Sequence, residues 1–394
     1  MEITKIKIKR NILLFKLASF FDGFWPLSPL VVIYFEQITN SYATAMGIFS
    51  IANILQSIME IPTGIISDRL GRKKTLCVSS LFFVICFILY ALAGTFNSVI
   101  FLIVGSLFWG TAMALCSGTD EAMVYETMEQ LKKRNKYDIV FSRIGMFTQI
   151  GLAIGAIVGA IIIYFYSLNI LAWFCVLPMS VHFIITLFYV EPDRILASKE
   201  KTSFSHFIEA MKKIKNNKKL QKISLLQIID RSSGYSAHSI EGAFFNTLVP
   251  LYYVNIMRMI KQLTGAMSYY IVKYVRKFNF FHILIASTIG DIFVRALGLI
   301  LNNFITPFIM STVNLFYGTT TTAQSALVQN ELSKNERATM KSIISMCESI
   351  SFAIFYYIIG WLADVYSLLA VMWILIFIKL SIGVGYYLML KKYK

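Results

Sequence analysis

The sequence predicts an all-α integral membrane protein of twelve transmembrane helices arranged as two pseudo-symmetric six-helix bundles. Three observations carry this. The 394 residues are 57% hydrophobic and only 15% charged, with a mean hydropathy of +0.66; soluble domains run at roughly 45–50% apolar and about 25% charged. The apolar residues fall into segments of the length a bilayer span needs, about 20 residues. Basic residues gather in alternate connections only. Disorder and an ordinary soluble enzyme are excluded by the same figures.

The segments run at about 12–36, 43–66, 75–95, 98–119, 139–166 and 168–190. A polar stretch follows, and then come 222–253, 259–275, 281–301, 303–327, 340–363 and 366–390. This gives an N-terminal bundle over 1–190, a cytoplasmic linker over 191–221 and a C-terminal bundle over 222–394. A six-linker-six pattern is the weak internal symmetry of a transporter built from two halves. The start, with Lys5, Lys7, Lys9 and Arg10, resembles a secretory signal. Its apolar stretch runs past Phe35 and carries Asp22, so an uncleaved first span is expected.

Charge sets the orientation. Lys and Arg outnumber Asp and Glu by 37 to 21. They occupy the even connections: Arg69, Arg72, Lys73 and Lys74; Lys132, Lys133, Arg134 and Lys136; the linker; Lys273, Arg276 and Lys277; Lys334, Arg337 and Lys341. The odd connections are nearly bare, and Arg258 and Lys261 alone break the rule. Cytoplasmic loops of membrane proteins hold the basic residues. Both termini and the linker are therefore expected on the cytoplasmic side of an inner or plasma membrane, and the basic balance implies no nucleic-acid partner. In the linker, Phe204, Phe207, Ile208, Met211 and Ile214 recur at helical spacing beside Lys212, Lys213 and Lys215. A basic amphipathic helix of this kind can lie on anionic lipid or serve as a solvated tether.

Cys77, Cys86, Cys116, Cys175 and Cys347 all sit in apolar stretches with no C-x-x-C pair, and the four histidines are scattered. Neither a disulfide framework nor a metal site is expected, and no cofactor. The sequence lacks H-E-x-x-H, G-x-S-x-G and a phosphate-binding G-x-x-x-x-G-K-[ST] loop, so neither an enzyme nor an ATP-driven pump is expected.

Between spans two and three stands Gly64-Ile65-Ile66-Ser67-Asp68-Arg69-Leu70-Gly71-Arg72-Lys73. It is a tight basic turn: Gly71 supplies a backbone conformation other residues resist, and Asp68 needs a partner at the end of its span. The ten residues resemble the loop signature of the major facilitator superfamily, G-x-x-x-D-R-x-G-R-K. The resemblance implies a twelve-span secondary transporter, working as a monomer by alternating access and similar to its drug and metabolite exporters. It also implies that Gly64, Asp68, Arg69, Gly71, Arg72 and Lys73 form a cytoplasmic latch, completed by an acidic residue after span four: Asp120, Glu121 or Glu126. Two other family signatures are degraded. Ser106 stands where many proton-coupled members have Arg, four residues before Gly110. Gly151, Gly155 and Gly159 keep the spacing of the exporter element in span five, but Ala156 replaces its Pro.

Ionisable residues within spans are costly and are functional candidates by default. Asp22 lies mid-span one, just before Pro26 and Pro29. Asp230, Arg231, His238 and Glu241 share span seven. Asp230 and Glu241 fall on one helix face, and His238 is three residues from Glu241. Asp291 and Arg295 are an i,i+4 pair. Glu60, Glu348 and Lys379 are further candidates. Aromatics such as Phe21, Phe24, Trp25, Tyr34, Tyr235, Phe244 and Phe245 can line a pocket. The expected partners are a small-molecule substrate, a proton or another coupling ion, and lipid. Proton-coupled efflux of an amphipathic compound is the first reading. Import of a nutrient or metal chelate is the second, and a non-transporting receptor on the same fold the third.

Overall fold

The computed structural model describes residues 2–192, 217–275, 277–332 and 337–393, and within them all regular structure is helical. The chain divides into two compact units, Met1–Ala197 and Ser198–Lys394. The linker segment expected to form an amphipathic helix lies outside the described residues.

The first unit contains α1 (Glu2–Gly23), α2 (Val31–Thr39), α3 (Tyr42–Leu70), α4 (Arg72–Phe96), α5 (Val99–Cys116), α6 (Thr119–Gln130), α7 (Tyr137–Phe165) and α8 (Leu168–Leu187). The second contains α9 (Lys218–Asn246), α10 (Leu251–Val275), α11 (Phe280–Leu301), α12 (Thr306–Ser311), α13 (Tyr317–Asn330), α14 (Arg337–Val365) and α15 (Leu368–Lys392). Short 3₁₀ turns at Ser28–Leu30, Arg134–Lys136 and Thr312–Phe316 interrupt or join them.

Nine helical segments of the described residues are long and apolar enough to cross a bilayer. Three of the twelve expected segments, α9, α10 and the broken run 306–330, form helix but fall short. The first two carry several charges each, and the third is interrupted by a 3₁₀ turn and rich in threonine. Elsewhere the surface is that of a protein solvated by lipid. Ile300, Ile100 and Phe377 stand 71%, 70% and 62% exposed, a pattern a soluble monomer avoids.

The bare connections are short turns made by particular residues. Asn40, Asn97 and Asn302 end their helices in the left-handed conformation, with φ of 54°, 48° and 41°, which Asn tolerates better than most residues. After Asn40 a serine starts the next helix: Ser41 Oγ accepts from Thr44 N at 3.1 Å. The two units share one such turn in closely similar form. Ser167 caps α8 through Ile170 N, and Ser367 caps α15 through Ala370 N. In each case the preceding Tyr166 or Tyr366 N–H closes the helix before it at 2.8 Å. Turns this tight leave little room for loop charges.

In the first unit, α1 packs lengthwise on α7 and α8, and α4 on α5 and α8. The α1–α7 contact is backbone against backbone. A Cβ at Gly151 would overlap the Phe20 carbonyl oxygen, and one at Gly23 the Thr148 carbonyl. The glycines of span five therefore let α7 reach α1, the close approach that small residues permit between membrane helices. Buried Asn11 ties α1 to the end of α8: its Nδ2 donates to the Val190 carbonyl at 2.7 Å, and its Oδ1 accepts from Val190 N at 2.9 Å.

Gly151→Ala should lower the thermal midpoint, because the added carbon meets backbone that cannot rotate away; overpacking of this kind costs about 1–3 kcal/mol. Gly145→Ala on the same helix meets nothing within 4 Å, so it should hold or raise the midpoint. Thermal unfolding of the two variants in detergent checks the contrast.

Candidate functional site

The loop motif ends α3 and begins α4. Gly71 joins them at φ +103°, a region that a side chain resists. The first two amides of α4, Arg72 N and Lys73 N, donate to the two carboxylate oxygens of Glu191, each at 2.7 Å. An anion at a helix N-terminus satisfies orphan donors and meets the positive end of the dipole. The Arg72 side chain turns the other way, donating to Ser67 Oγ at 2.9 Å and pairing with Glu126 at 3.4 Å. Of the three acidic candidates after span four, Glu126 is the one that meets Arg72. Glu121 accepts from Tyr137 Oη at 3.2 Å, and Asp120 accepts from the Glu121 amide. Arg69 lies exposed in the last turn of α3. Gly64 and the side chain of Asp68 fall outside the description. Sequence reasoning missed Glu191, whose role needs the chain to return beside α4 after more than a hundred residues.

Asp22 sits where α1 stops. The backbone turns sharply there, with Trp25 N donating to the Gly23 carbonyl at 2.8 Å. His182 of α8 acts on Asp22 electrostatically, and Asp120 lies within range of it. The His182 Nδ1 atom is buried without a hydrogen bond. Just beyond the break, Trp25 packs on Trp109 and Phe87, with ring centroids 5.0 and 5.6 Å apart. Tyr34 is buried instead, donating to the Tyr90 carbonyl at 2.7 Å. Ser106 binds Tyr90 Oη at 2.9 Å, so the position expected for Arg carries a neutral core contact. Glu60 is exposed on α3 and accepts from Ser117 Oγ at 3.4 Å.

The second unit holds a chain of alternating charges. Lys261 binds Glu241, and Arg295 stands 3.7 Å from the other Glu241 oxygen. Arg295 pairs with Asp291 at 2.5 Å. Lys379 comes next, 3.8 Å from Asp291 and 2.5 Å from Asp230. Asp230 then accepts from Gln324 at 2.7 Å, and Gln324 donates also to Tyr386 Oη at 3.0 Å. The chain links α10, α9, α11, α15 and α13. Asp230, Glu241 and Lys261 are each at most 5% exposed. A second group stands near it: Glu348 of α14 pairs with Arg231 at 3.1 Å and accepts from Gln227 at 3.0 Å.

His238 does not meet Glu241. It lies against Arg258 of α10, so the two basic residues that break the loop pattern are partners of α9 inside the unit. Among the described residues, Asp230 and Glu241 are joined through Lys379, Asp291 and Arg295. At the start of α9, Lys219 pairs with Glu331 at 2.7 Å and Asn217 donates to it at 3.2 Å. Burial pushes the Glu331 carboxyl up, and these two partners outweigh that and hold it below its ordinary value. Among the described residues no group of His, Cys, Asp and Glu is arranged to hold a metal ion.

The family model of the Major Facilitator Superfamily matches residues 13–275. The chain belongs to that superfamily, which places it among transporters rather than enzymes. No curated protein matches its sequence. Solved structures share its fold: the nucleoside transporter NupG at 15% identity and a TM-score of 0.81, covering 99% of both chains; a D-xylose-proton symporter at 12% and 0.74, covering 98% of both; and the peptide-family transporter PepTSo at 11% and 0.72, again covering 98% of both.

Glu191→Ala removes both acceptors from the start of α4. Loss of a cap together with its charge at a helix N-terminus costs about 1–2 kcal/mol. The thermal midpoint should fall, with Glu191→Gln intermediate because one oxygen remains, and differential scanning fluorimetry would order the three proteins.

Proposed function

We propose that this chain is a proton-coupled secondary transporter of twelve spans. It carries a small amphipathic molecule outward by alternating access while protons move inward. The observation that carries the reading is the charge chain of the second unit. Each buried ion costs several kcal/mol to desolvate, and an apolar core of the same volume would be as stable or more so. A unit that nevertheless keeps Asp230, Glu241 and Asp291 inside, each tied to a cation, holds carboxylates that can exchange a proton for a salt bridge.

Asp22 adds a carboxylate in the first unit. It stands at a helix break three residues before Trp25, whose ring packs on Trp109 and Phe87 to form an apolar wall suited to the body of an amphipathic substrate. The motif loop, with Arg72 set between Ser67 and Glu126, supplies the cytoplasmic latch in this reading.

The test uses purified protein in sealed liposomes with a pH-sensitive dye inside. Under an imposed proton gradient, a panel of amphipathic drugs, organic acids, sugars, nucleosides and peptides is added. Substrate-dependent proton flux is expected in the wild type. It should fall at least about a hundredfold, the scale of one lost proton-transfer group, in Glu241→Gln or Asp22→Asn. Substrate and protons moving in the same direction would overturn export. Substrate movement without proton flux would overturn the coupling.

A further inference from the structure

Among the described residues, the charges inside the second unit do not balance. Arg231, Arg258, Lys261, Arg295 and Lys379 face Asp230, Glu241, Asp291 and Glu348. Each of these cations except Arg258 has a carboxylate within 4 Å. Among the described residues, the side chain against Arg258 is the His238 ring. A neutral imidazole accepts at one nitrogen only and brings no negative charge, whereas a guanidinium has five donors and never loses its own. The Arg258 Nε is buried with no hydrogen bond.

A second observation sits one helical turn away. Asn255 precedes Arg258 by three residues on α10, so the two share a face. Asn255 is 0% exposed, yet neither its Oδ1 nor its Nδ2 has a partner. Buried amides are nearly always hydrogen-bonded, and one left empty costs about 1–3 kcal/mol. Glu241, already engaged by Lys261 and Arg295, and then Tyr356 of α14 act on Arg258 electrostatically from farther off, and the Tyr356 hydroxyl is shared with Ser239, next to His238, at 3.0 Å. A guanidinium with no carboxylate in contact, an unpartnered amide and a hydroxyl pair thus belong, among the described residues, to one part of the unit, where α9, α10 and α14 contribute.

We propose that Arg258 and Asn255 bind the carboxylate of the transported molecule, so that the substrate is a monocarboxylate with an apolar body. A guanidinium takes a carboxylate in a two-bond fork, the Asn255 amide supplies a further donor, and one negative charge neutralises the one cation left over. The substrate class rests on the transporter reading above, but the binding site does not.

The experiment therefore measures binding without a gradient. Full-length protein in detergent is titrated with benzoate and octanoate, and with benzamide and octanamide as uncharged matches, by isothermal calorimetry. The carboxylates should bind and the amides should bind at least roughly tenfold more weakly, as expected on losing a charge-assisted hydrogen bond. Arg258→Gln should remove the difference. Asn255→Asp places a carboxylate beside Arg258 within the chain itself, so it should abolish carboxylate binding while leaving the thermal midpoint unchanged or higher. That variant keeps the test decisive if Arg258→Gln does not fold. Equal binding of acids and amides, no binding of either acid, or undiminished acid binding in Asn255→Asp would each overturn the proposal. Absence of proton flux in liposomes, with these binding results intact, would count against the coupling alone.

Discussion

A charge buried among apolar helices must be matched by another, and the second unit is organised around that requirement. Its interior carries Lys261, Glu241, Arg295, Asp291, Lys379 and Asp230 in alternating order. The desolvation cost of any one ion is several kcal/mol and is offset only while its neighbour stays in place. This makes helices α9, α10, α11 and α15 interdependent, because each holds an ion whose partner is on another. It also explains why α9 and α10 fall below the apolar composition of the other spanning segments. They are the helices that bring the charge.

The first unit meets a different constraint. Its helices α1 and α7 approach one another through backbone, with Gly23 and Gly151 removing the side chains that would keep them apart. That contact fixes the place where α1 breaks, and with it the positions of Asp22 and Trp25. The motif loop is held to α8's exit by Glu191 and to α6 by Glu126. Close backbone packing joins α1 to α7 in the first unit, and the second adds a buried chain of ion pairs to its apolar core.

Much of this was legible in the sequence, and the misses have identifiable causes. Apolar run lengths and alternating loop charge gave the helices and their order. The motif between α3 and α4 gave the superfamily, and the i,i+4 spacing gave the Asp291–Arg295 pair. Helix-face arithmetic went wrong for His238 and Glu241. Neighbours on one helix were expected to meet, but both side chains turn to cations on α10. The signal that could have found those partners was present, since Arg258 and Lys261 are the two residues that violate the loop charge rule. Glu191 carried no such signal, because nothing local marks a residue that caps a helix more than a hundred positions earlier.

The most direct test of the account is a double-mutant cycle at Lys379 and Asp230, read as unfolding free energy in a defined detergent. Lys379→Met leaves Asp230 without its cation, and Asp230→Asn leaves Lys379 only the longer contact to Asp291; the first should cost about 3–5 kcal/mol and the second somewhat less. The double variant leaves no unmatched ion at that link, so it should recover most of the loss. Additive losses in the double variant would contradict the claim that these charges are held as a mutually compensating chain.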